Sequence, residues 1–393
     1  MRILILATDY PSFVSQFYRR HPGLESRPYA DQVKVREDSL FGAAAFYALN
    51  FRRHGHDAQV VYANNFALQA AWAREHGMAV PDRSVTPRED SQAVAWLKAR
   101  LRPYKQMLGA AALRFSAVGP LQGFEREVLL AQVEDFKPDV ILNQDLQAID
   151  GRFIRQVRRP GQLMAAMIGV DPPPGLDTGA YDIGISHIPW VVDFFNSRGL
   201  RAERQHLCFE TSVLDVLGPA SEPDIDVSFV GALSAAHTAR VAFLDAVARR
   251  FKLSLWVPSL KGLPASSPLH ACRQGEVYGA DMFQVLRRSR ITLNSHINVA
   301  RGSAGNMRLF EATGMGALLL TDDLADLSEL FAPGREVASY RSVEDCLDRI
   351  AYFLANEPER RAVAAAGQAR TLSDHTYYAR AGQMLDFMER ARR

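Results

Sequence analysis

The stretch Arg301–Asp323 reads RGSAGNMRLFEATGMGALLLTDD. It opens with small residues, and these predict a glycine-bearing loop that a ligand can approach closely. Asn306 is a good N-cap residue, so we expect a helix to follow and to run through Ala312. Two glycines should end that helix, and the apolar run at 317–321 has the character of a buried strand. The stretch therefore predicts a loop–helix–strand unit of an α/β protein.

The start of this helix is suited to bind an anion. Unpaired N–H groups and the positive end of the helix dipole face the loop, and Arg308 in the first turn can add a forked contact. Glu311 is near enough to the same helix end to reach a polar neighbour such as the hydroxyls of a ribose. We therefore predict a diphosphate-binding group and a nucleoside contact in this unit: Gly302, Ser303, Gly305, Asn306 and Arg308 for the diphosphate, and Glu311 for the nucleoside.

Several motifs in the C-terminal half are shared with a known family. Residues 308–322 follow the pattern R-x-F-E-A-x-x-x-G-A-L-L-L-T-D, and F-x-P-G-x-E, P-E-x-R, A-x-A-G and H-T-Y follow downstream. These motifs resemble the nucleotide-sugar-binding segment of GT-B fold glycosyltransferases. More closely they resemble the CgeB-like group (spore maturation protein, glycosyl transferases group 1). The resemblance covers Asp226 to Phe387.

The resemblance implies an α/β fold of two Rossmann-like domains that face a cleft, with a C-terminal helix that crosses back to the N-terminal domain. We place the N-terminal, acceptor-binding domain at 1–210 and the C-terminal, nucleotide-sugar-binding domain at 211–375. Residues 376–393 then form the returning helix. The boundary falls in the segment 201–226, which has little periodicity and contains a Gly-Pro and a Glu-Pro pair.

The composition is that of a globular protein. The chain has 393 residues, 48% hydrophobic and 23% charged, and this length suffices for two domains. The net charge of +2 gives no reason to expect a nucleic-acid partner. Three cysteines far apart suggest neither a disulfide framework nor a zinc site. Asp9 interrupts the apolar start, and no run of ~18 apolar residues occurs, so we expect a cytoplasmic protein without a signal peptide or transmembrane helix.

Polar residues follow three predicted strands of the first half. Asp9 comes after the strand 2–7, Asp145 after the strand 138–143, and His187 after the strand 181–186. Ligands of open α/β sheets bind at the carboxyl ends of the strands, so these three residues are the candidates for a catalytic base that contacts the acceptor. An ordinary structural role in a loop is the alternative for each. A helix is predicted over Asp38–His54.

A basic amphipathic helix is predicted over 97–115, from apolar residues at three- and four-residue spacing. Such a helix can lie on an anionic membrane or hold a lipid-linked substrate. The alternative is a surface helix with a solvated basic face. Peripheral membrane contact through this helix is therefore one prediction, with no transmembrane segment.

The second half opens with a strand and a glycine, Gly231, followed by a helix over Thr238–Arg250. In GT-B enzymes such a turn lies near the donor diphosphate, and an arginine and a lysine from this region commonly contact it. By that resemblance we assign Arg240 and Lys261 to the diphosphate. Two cations there would stabilise the charge that develops on the leaving phosphate. Two surface cations are the alternative.

The loop that precedes the helix starting near Met282 holds Val277 and Tyr278, which we assign to the nucleobase. One departure from the family pattern matters. Many retaining GT-B enzymes carry two glutamates eight positions apart, and Ser303 stands where the first is expected. We therefore assign the sugar contact to His296 and Asn298. We predict no metal site, because the one D-x-D, at 224–226, lies at the domain boundary.

Together these observations predict a metal-independent glycosyltransferase. It would move a sugar from a nucleotide-diphosphate donor to a hydroxyl or amine of an unknown acceptor (glycan, lipid-linked, protein or small molecule), with retention favoured and no cofactor. Inversion would require one of the three candidate bases. Two alternatives remain open, a GT-B-fold sugar-nucleotide epimerase and a non-catalytic sugar-nucleotide-binding or assembly protein.

Overall fold

The structure, a computed structural model, describes residues 1–82, 120–233, 238–296 and 301–393. The basic helix predicted over 97–115 and the predicted sugar contact Asn298 lie outside the described residues. In the described part, the chain forms two parallel six-stranded sheets, one after the other along the sequence.

The first sheet has the order β2-β1-β3-β4-β5-β6, and every pair in it is parallel. Its central strands are apolar runs buried on both faces, as expected when helices cover both sides of a parallel sheet. The strands are β1 (Arg2–Ala7), β2 (Asp57–Tyr62), β3 (Val140–Asn143), β4 (Leu163–Met167), β5 (Ile183–Ser186) and β6 (Ala202–Arg204).

In the described part of the first half, the strands are accompanied by the helices α1 (Pro11–Arg20), α2 (Tyr29–Asp38), α3 (Ala43–Arg53), α4 (Phe66–Glu75), α5 (Gly123–Phe136), α6 (Gly151–Val157), α7 (Pro189–Ser197) and α8 (Ser212–Leu217). The helix predicted over Asp38–His54 is therefore shorter than expected. Leu40 (φ 58°) and Gly42 (φ 88°) both have left-handed backbone conformations, so the chain turns before α3 can begin.

The second sheet has the order β12-β11-β10-β7-β8-β9 and is also parallel throughout. Its strands are β7 (Ile225–Val230), β8 (Leu253–Trp256), β9 (Arg273–Gly275), β10 (Ser289–Leu293), β11 (Leu318–Asp322) and β12 (Ala338–Tyr340). Its helices are α9 (Thr238–Arg250), α10 (Leu269–Cys272), α11 (Gly279–Arg287), α12 (Met307–Gly314), α13 (Val343–Ala355), α14 (Glu357–Asp374) and α15 (Tyr377–Arg392).

In each sheet the strand order reverses direction at one point. The reversal lies between β1 and β3 in the first sheet and between β7 and β10 in the second. At such a point the two neighbouring loops leave in opposite directions and open a crevice at the carboxyl ends of the strands. The topology therefore predicts that ligands bind at the loops after β1 and β3 and at those after β7 and β10.

The last helix, α15, returns to the first half of the chain. The ring of Tyr377 lies edge-on to that of Tyr47 on α3, with centroids 4.9 Å apart, and Met384, Leu385 and Met388 are buried in the same hydrophobic core. The imidazole of His54 hydrogen-bonds the carbonyl of Tyr378 (2.9 Å). The C-terminal helix thus crosses from the second sheet onto the first, as predicted. Among the described residues, no helix combines the length and apolarity needed to cross a membrane.

Candidate active site

Arg240 joins the two loops at the reversal point of the second sheet. Its guanidinium donates to the carbonyl of Ala232 (3.1 Å), next to Gly231 after β7, and to the carbonyl of Ser295 (2.6 Å) after β10. Burial lowers the pKa of this guanidinium, and the negative charge of Asp322 opposes that shift. Its Nε has no hydrogen-bond partner. The arrangement places a largely buried positive charge behind the glycine turn.

The glycine-bearing loop after β10 is held by a carboxylate. The Ser303 hydroxyl and the Ala304 N–H both donate to Asp326, at 2.5 and 2.6 Å. Arg301 (φ 49°), Gly302 (φ 84°) and Gly305 (φ 129°) have left-handed conformations that bend the loop. The hydroxyl of Ser303, which the sequence assigned to the diphosphate, is therefore already bonded within the protein.

His296 lies between this loop and β11. The Gly305 N–H donates to Nε2 of His296 (3.2 Å), so the ring proton is on Nδ1, which donates to Asp322 (2.6 Å). Burial raises the pKa of the Asp322 carboxyl, but hydrogen bonds from His296 and Thr321 lower it by more, which keeps the carboxylate ionised. Both ring nitrogens of His296 are thus engaged within the protein, and its assignment as a sugar contact stays a prediction.

The start of α12 carries a buried ion pair. Nη1 of Arg308 is 2.8 Å from Oε2 of Glu311, and only 14% and 11% of the two side chains are exposed. Within the described residues, Nε and Nη1 of Arg308 make no hydrogen bond, so the contact with Glu311 is an ion pair only. Burial raises the pKa of Glu311, while the charge of Arg308 opposes the shift. The pair presents unsatisfied donors where the backbone N–H groups of a helix start are also free.

Asn306 occupies the N-cap position of α12, as predicted, but its side chain does not cap the helix. Its amide instead donates to the side-chain oxygen of Asn294 (2.8 Å). The N-cap position predicted for Asn306 is confirmed, and its amide is engaged because an acceptor from the end of β10 lies within reach. The first N–H groups of α12 keep their capacity to bind a ligand.

Asp9 is committed to a structural ion pair. Its carboxylate accepts from Nε (3.1 Å) and Nη2 of Arg36, and both side chains are 1% exposed. The guanidinium lies over the rings of Phe13 and Tyr62, 4.5 and 4.3 Å from their centroids. Although burial acts against the charge on Arg36, Asp9 raises the pKa of the guanidinium. The carboxylate of Asp9 is therefore engaged within the protein, and its assignment as a catalytic base stays a prediction.

Asp145 shapes the turn after β3. Its carboxylate accepts from the Thr8 hydroxyl (2.5 Å), at the end of β1, and from the N–H groups of Gln147 (3.1 Å) and Ala148 (2.9 Å). It therefore joins the two strands at the reversal point of the first sheet. These three hydrogen bonds fix the carboxylate in the turn, and the assignment of Asp145 as a catalytic base stays a prediction.

Tyr10 follows β1 and is 47% exposed. Desolvation raises the pKa of its hydroxyl, and the negative charges of Asp145 and Glu311 add to that shift. The loops after the two sheets meet in a crevice, because Arg204 at the end of β6 hydrogen-bonds Ser303 (3.2 Å) and Asp326 (3.0 Å) of the second half.

His187 is neutral at physiological pH. Burial lowers its pKa to about 4, and the positive charges of Arg204, His206 and His296 act in the same direction. The ring lies against Gly169, where an added Cβ would be 2.6 Å from Cε1. The imidazole is thus packed at the end of β5, with little affinity for a proton.

Tyr278 contacts the first half of the chain. Its hydroxyl bonds Ser12 (2.7 Å) and Glu276, and its ring lies edge-on to Phe13 and Phe41 with centroids 5.6 and 4.9 Å away. These contacts occupy the ring edges at the interface between the sheets, next to the predicted nucleobase position. Val277 packs against the hydrophobic core.

Lys261 lies apart from the buried groups at the reversal point. It is exposed in the turn after β8, where its backbone N–H bonds the Ser259 hydroxyl (3.0 Å). The assignment of Lys261 to the diphosphate stays a prediction. Within the described ranges, no group of three or more His, Cys, Asp or Glu side chains is arranged to hold a metal ion.

Sequence reasoning missed Arg204 and Asp326. Arg204, at the end of β6, reaches across the crevice to Ser303 and Asp326, which are 99 and 122 residues further along the chain. No local pattern marks either residue. A similar crossing is made by Arg301, whose guanidinium carbon lies 3.8 Å from the ring centroid of Trp190 on α7.

Comparison with known proteins agrees with this architecture. Residues 240–386 match the model of a family described as glycosyl transferase-like. A search of curated proteins found no match. The second half of the chain, with the loop, α12 and the returning helix, is therefore glycosyl transferase-like in sequence.

Solved structures resemble the chain over nearly its whole length. AviGT4, a glycosyltransferase involved in avilamycin A biosynthesis, has a TM-score of 0.57 and 13% identity over 100% of this chain and 98% of its own. Anabaena HepE, crystallised with UDP, has a TM-score of 0.56 and 11% identity over 99% and 100%. A candidate UDP-N-acetylglucosamine 2-epimerase from Listeria monocytogenes has a TM-score of 0.50 and 12% identity over 99% and 95%. The fold is that of GT-B proteins, and the predicted fold class is confirmed.

Proposed function

We propose that the protein is a glycosyltransferase that moves a sugar from a nucleotide-diphosphate donor to a hydroxyl or amine of its acceptor. The domain at 211–375 binds the donor, the domain at 1–210 binds the acceptor, and the helix at 376–393 joins them. On the motifs of its C-terminal half we assign it to the CgeB-like group, and on its cysteine usage to the cytoplasm. The acceptor class stays open.

The buried pair Arg308–Glu311 is the observation that carries this proposal. A buried donor without a partner costs about 1–3 kcal/mol, so the unpaired N–H groups of Arg308 favour the arrival of an acceptor atom such as a phosphate oxygen. The free N–H groups and dipole of the α12 start favour an anion at the same place. Glu311, beside Arg308, is a suitable acceptor for ribose hydroxyls.

The charge that develops on the leaving diphosphate requires stabilisation. Arg308 and the start of α12 supply donors, and Arg240 supplies a buried positive charge behind the Gly231 turn. Fixed charges and dipoles of this kind are effective because they need no reorganisation during the reaction. We propose that these groups, together with Lys261, act on the diphosphate without a divalent metal ion.

Retention of the anomeric configuration is the stereochemical outcome we propose. Asp9 is held by Arg36, Asp145 accepts three hydrogen bonds, and the pKa of His187 is lowered to about 4. A general base must be free to take up a proton. Asp9 and Asp145 are engaged in hydrogen bonds within the protein, and the lowered pKa of His187 disfavours proton binding by its ring. A donor phosphate oxygen would then deprotonate the acceptor on the same face of the sugar.

The test is thermal unfolding of wild type and Glu311→Ala with UDP-, GDP-, dTDP- and CMP-sugars. UDP-glucose comes first, since HepE was crystallised with it. A ligand that binds only the folded state stabilises it by about 2.7 kcal/mol at 100 times its Kd. We expect one nucleotide class to raise the melting temperature of wild type and of the exposed-residue control Glu127→Ala, and to have a much smaller effect on Glu311→Ala. No shift at millimolar concentration with any donor would contradict the proposal.

Product analysis with the stabilising donor separates transfer from the two alternatives. A transferase leaves slow hydrolysis to the free sugar when no acceptor is present. An epimerase returns a nucleotide sugar with an inverted carbon, and a binding protein returns the donor unchanged. The fold is shared with an epimerase candidate, so this measurement, and not the architecture, distinguishes them.

A further inference from the structure

We propose that Arg204 is a positioning residue for the donor loop, which it holds from the opposite domain. The inference rests on the proposed function for the part that concerns donor affinity. Arg204 lies at the end of β6 in the first sheet, and the loop it reaches follows β10 in the second. Its side chain is 25% exposed, so the guanidinium is largely enclosed between the two halves.

Arg204 makes contacts on both sides of the crevice. On its own side, Nε donates to the backbone carbonyl of His187 (3.2 Å), which anchors the guanidinium at the end of β5. On the other side, Nη2 donates to the Ser303 hydroxyl (3.2 Å) and to Asp326 (3.0 Å), and Nη1 donates to Glu329 (3.2 Å). A planar guanidinium with several fixed donors suits this task, whereas a lysine offers a single point charge.

Asp326 transmits this contact to the loop backbone. Its carboxylate accepts from Ser303 and Ala304 at 2.5–2.6 Å, and it therefore sets the path of the chain just before α12. Burial raises the pKa of Asp326, but these donors and Arg204 lower it by more. Arg301 of the same loop lies on the ring of Trp190 in the first domain, so the loop meets that domain at two points.

For the reaction, this means that the donor loop is ordered only when the two domains are in contact. The loop has its described shape when Arg204 and Asp326 are in contact, and this contact exists only when the two domains lie against each other. Loss of Arg204 should therefore loosen the loop and weaken donor binding while the buried groups at α12 stay in place.

The experiment compares Arg204→Met with Arg390→Met by hydrogen exchange without a donor. Arg390 on α15 pairs with Glu203 (2.9 Å), the neighbour of Arg204 on β6, and is about half exposed. Arg390→Met is therefore a matched control. We expect faster exchange in the 301–306 segment for Arg204→Met and unchanged exchange there for Arg390→Met. Equal exchange in both variants would overturn the proposal. This readout needs no donor, so it decides the loop contact even if the proposed function fails.

The second readout is donor affinity and turnover. For Arg204→Met we expect the KM for the donor to rise about tenfold, equivalent to 1.4 kcal/mol, with a smaller change in kcat, and Arg204→Lys to recover part of the loss. If Arg204→Met instead lowers kcat with the donor KM unchanged, or only lowers the melting temperature, the positioning role is wrong. Should Arg204→Met fail to fold, Asp326→Asn tests the same contact with the same expected changes.

Discussion

The two sides of the crevice use their charged side chains in opposite ways. On the first domain, Asp9 and Asp145 accept hydrogen bonds from Arg36, Thr8 and backbone N–H groups. On the second domain, within the part of the chain that the structure describes, Nε of Arg240 and Nε and Nη1 of Arg308 make no hydrogen bond. The two carboxylates of the first side are therefore engaged within the protein, whereas the two arginines of the second side keep donor capacity for an anion.

This difference indicates that the protein's own side chains favour binding of the anionic donor more than activation of the acceptor. An anionic ligand on the second side would gain hydrogen bonds from Arg308, whose contact with Glu311 is an ion pair that makes no hydrogen bond. An acceptor on the first side would have to compete with structural hydrogen bonds before it could use either carboxylate. The predictions below test this contrast, in order from the largest expected effect to the smallest.

Arg36→Met should give the largest effect, and it should be on stability. Removing one partner of a buried ion pair leaves the other charge uncompensated and costs about 3–5 kcal/mol; Asp9 would be left in this state. Urea unfolding measures the loss. The control Arg52→Met breaks an exposed pair with Glu37, for which about 0–1 kcal/mol is expected.

The other partner of this pair, Asp9, allows a test of whether a first-domain carboxylate takes part in the reaction. In Asp9→Asn we expect lower stability but an undiminished melting-temperature shift with the donor. Loss of turnover in Asp9→Asn with donor binding intact would show that this carboxylate takes part in the reaction, and the contrast between the two sides would then break down.

Arg308→Met should nearly abolish turnover while the fold is retained. Removal of one preorganised donor to a developing negative charge typically costs 10²–10³ in kcat, about 2.7–4 kcal/mol. Steady-state kinetics with the identified donor measures the loss. The control Arg335→Met removes an arginine that is 78% exposed and paired with Glu336. Similar kinetics for the two variants would place the diphosphate elsewhere.

Local sequence pattern was sufficient to predict the elements that form the site. The helix predicted over Thr238–Arg250 has those bounds, and the loop–helix–strand unit contains α12 and β11 as expected. Ser342 caps α13, where its hydroxyl accepts from the Asp345 N–H (3.1 Å), and the Ser-x-x-Asp spacing is typical of such a cap. These features depend on neighbours within about one helical turn, which the sequence displays directly.

Side-chain partners were not predictable in the same way. Asp9 was correctly located in a loop after β1, but its partner Arg36 is 27 residues away on a helix that the pattern did not reveal. Asn306 was correctly located at the N-cap, but its side-chain amide donates to the side-chain oxygen of Asn294. Arg204 meets Ser303 because two sheets are placed face to face, and no periodicity within one sheet encodes that placement.

Glu311→Gln should change the pH dependence of stability. The folded-state pKa of Glu311 is raised above its ordinary value of 4.5, so the folded state binds more protons than the unfolded state just above that pH. By linkage, this carboxyl makes the protein less stable as the pH rises through that interval. We expect the stability of wild type relative to Glu311→Gln to fall from pH 4.5 upward, as measured by urea unfolding at each pH.

The activity of Glu311→Gln tests the proposed contact between Glu311 and the ribose. An amide can still accept one hydrogen bond from a ribose hydroxyl, so we expect a loss of about tenfold in kcat/KM, or 1.4 kcal/mol. Donor affinity equal to that of wild type, together with a flat stability difference, would mean that Glu311 neither meets the ribose nor is desolvated.

His187→Gln should give the smallest effect on transfer, because a neutral imidazole that binds protons poorly contributes little as a base. Its folded-state pKa of about 4 lies below the ordinary 6.5, so the unfolded state binds more protons between these values. Stability attributable to this ring is therefore present above pH 6.5 and lost as the pH falls toward 4. His206, whose pKa is also lowered to about 4, gives a matched variant, His206→Gln, with the same direction. A large fall in kcat for His187→Gln alone, with a pH–rate profile that loses its acid limb, would instead identify His187 as the base of an inverting enzyme.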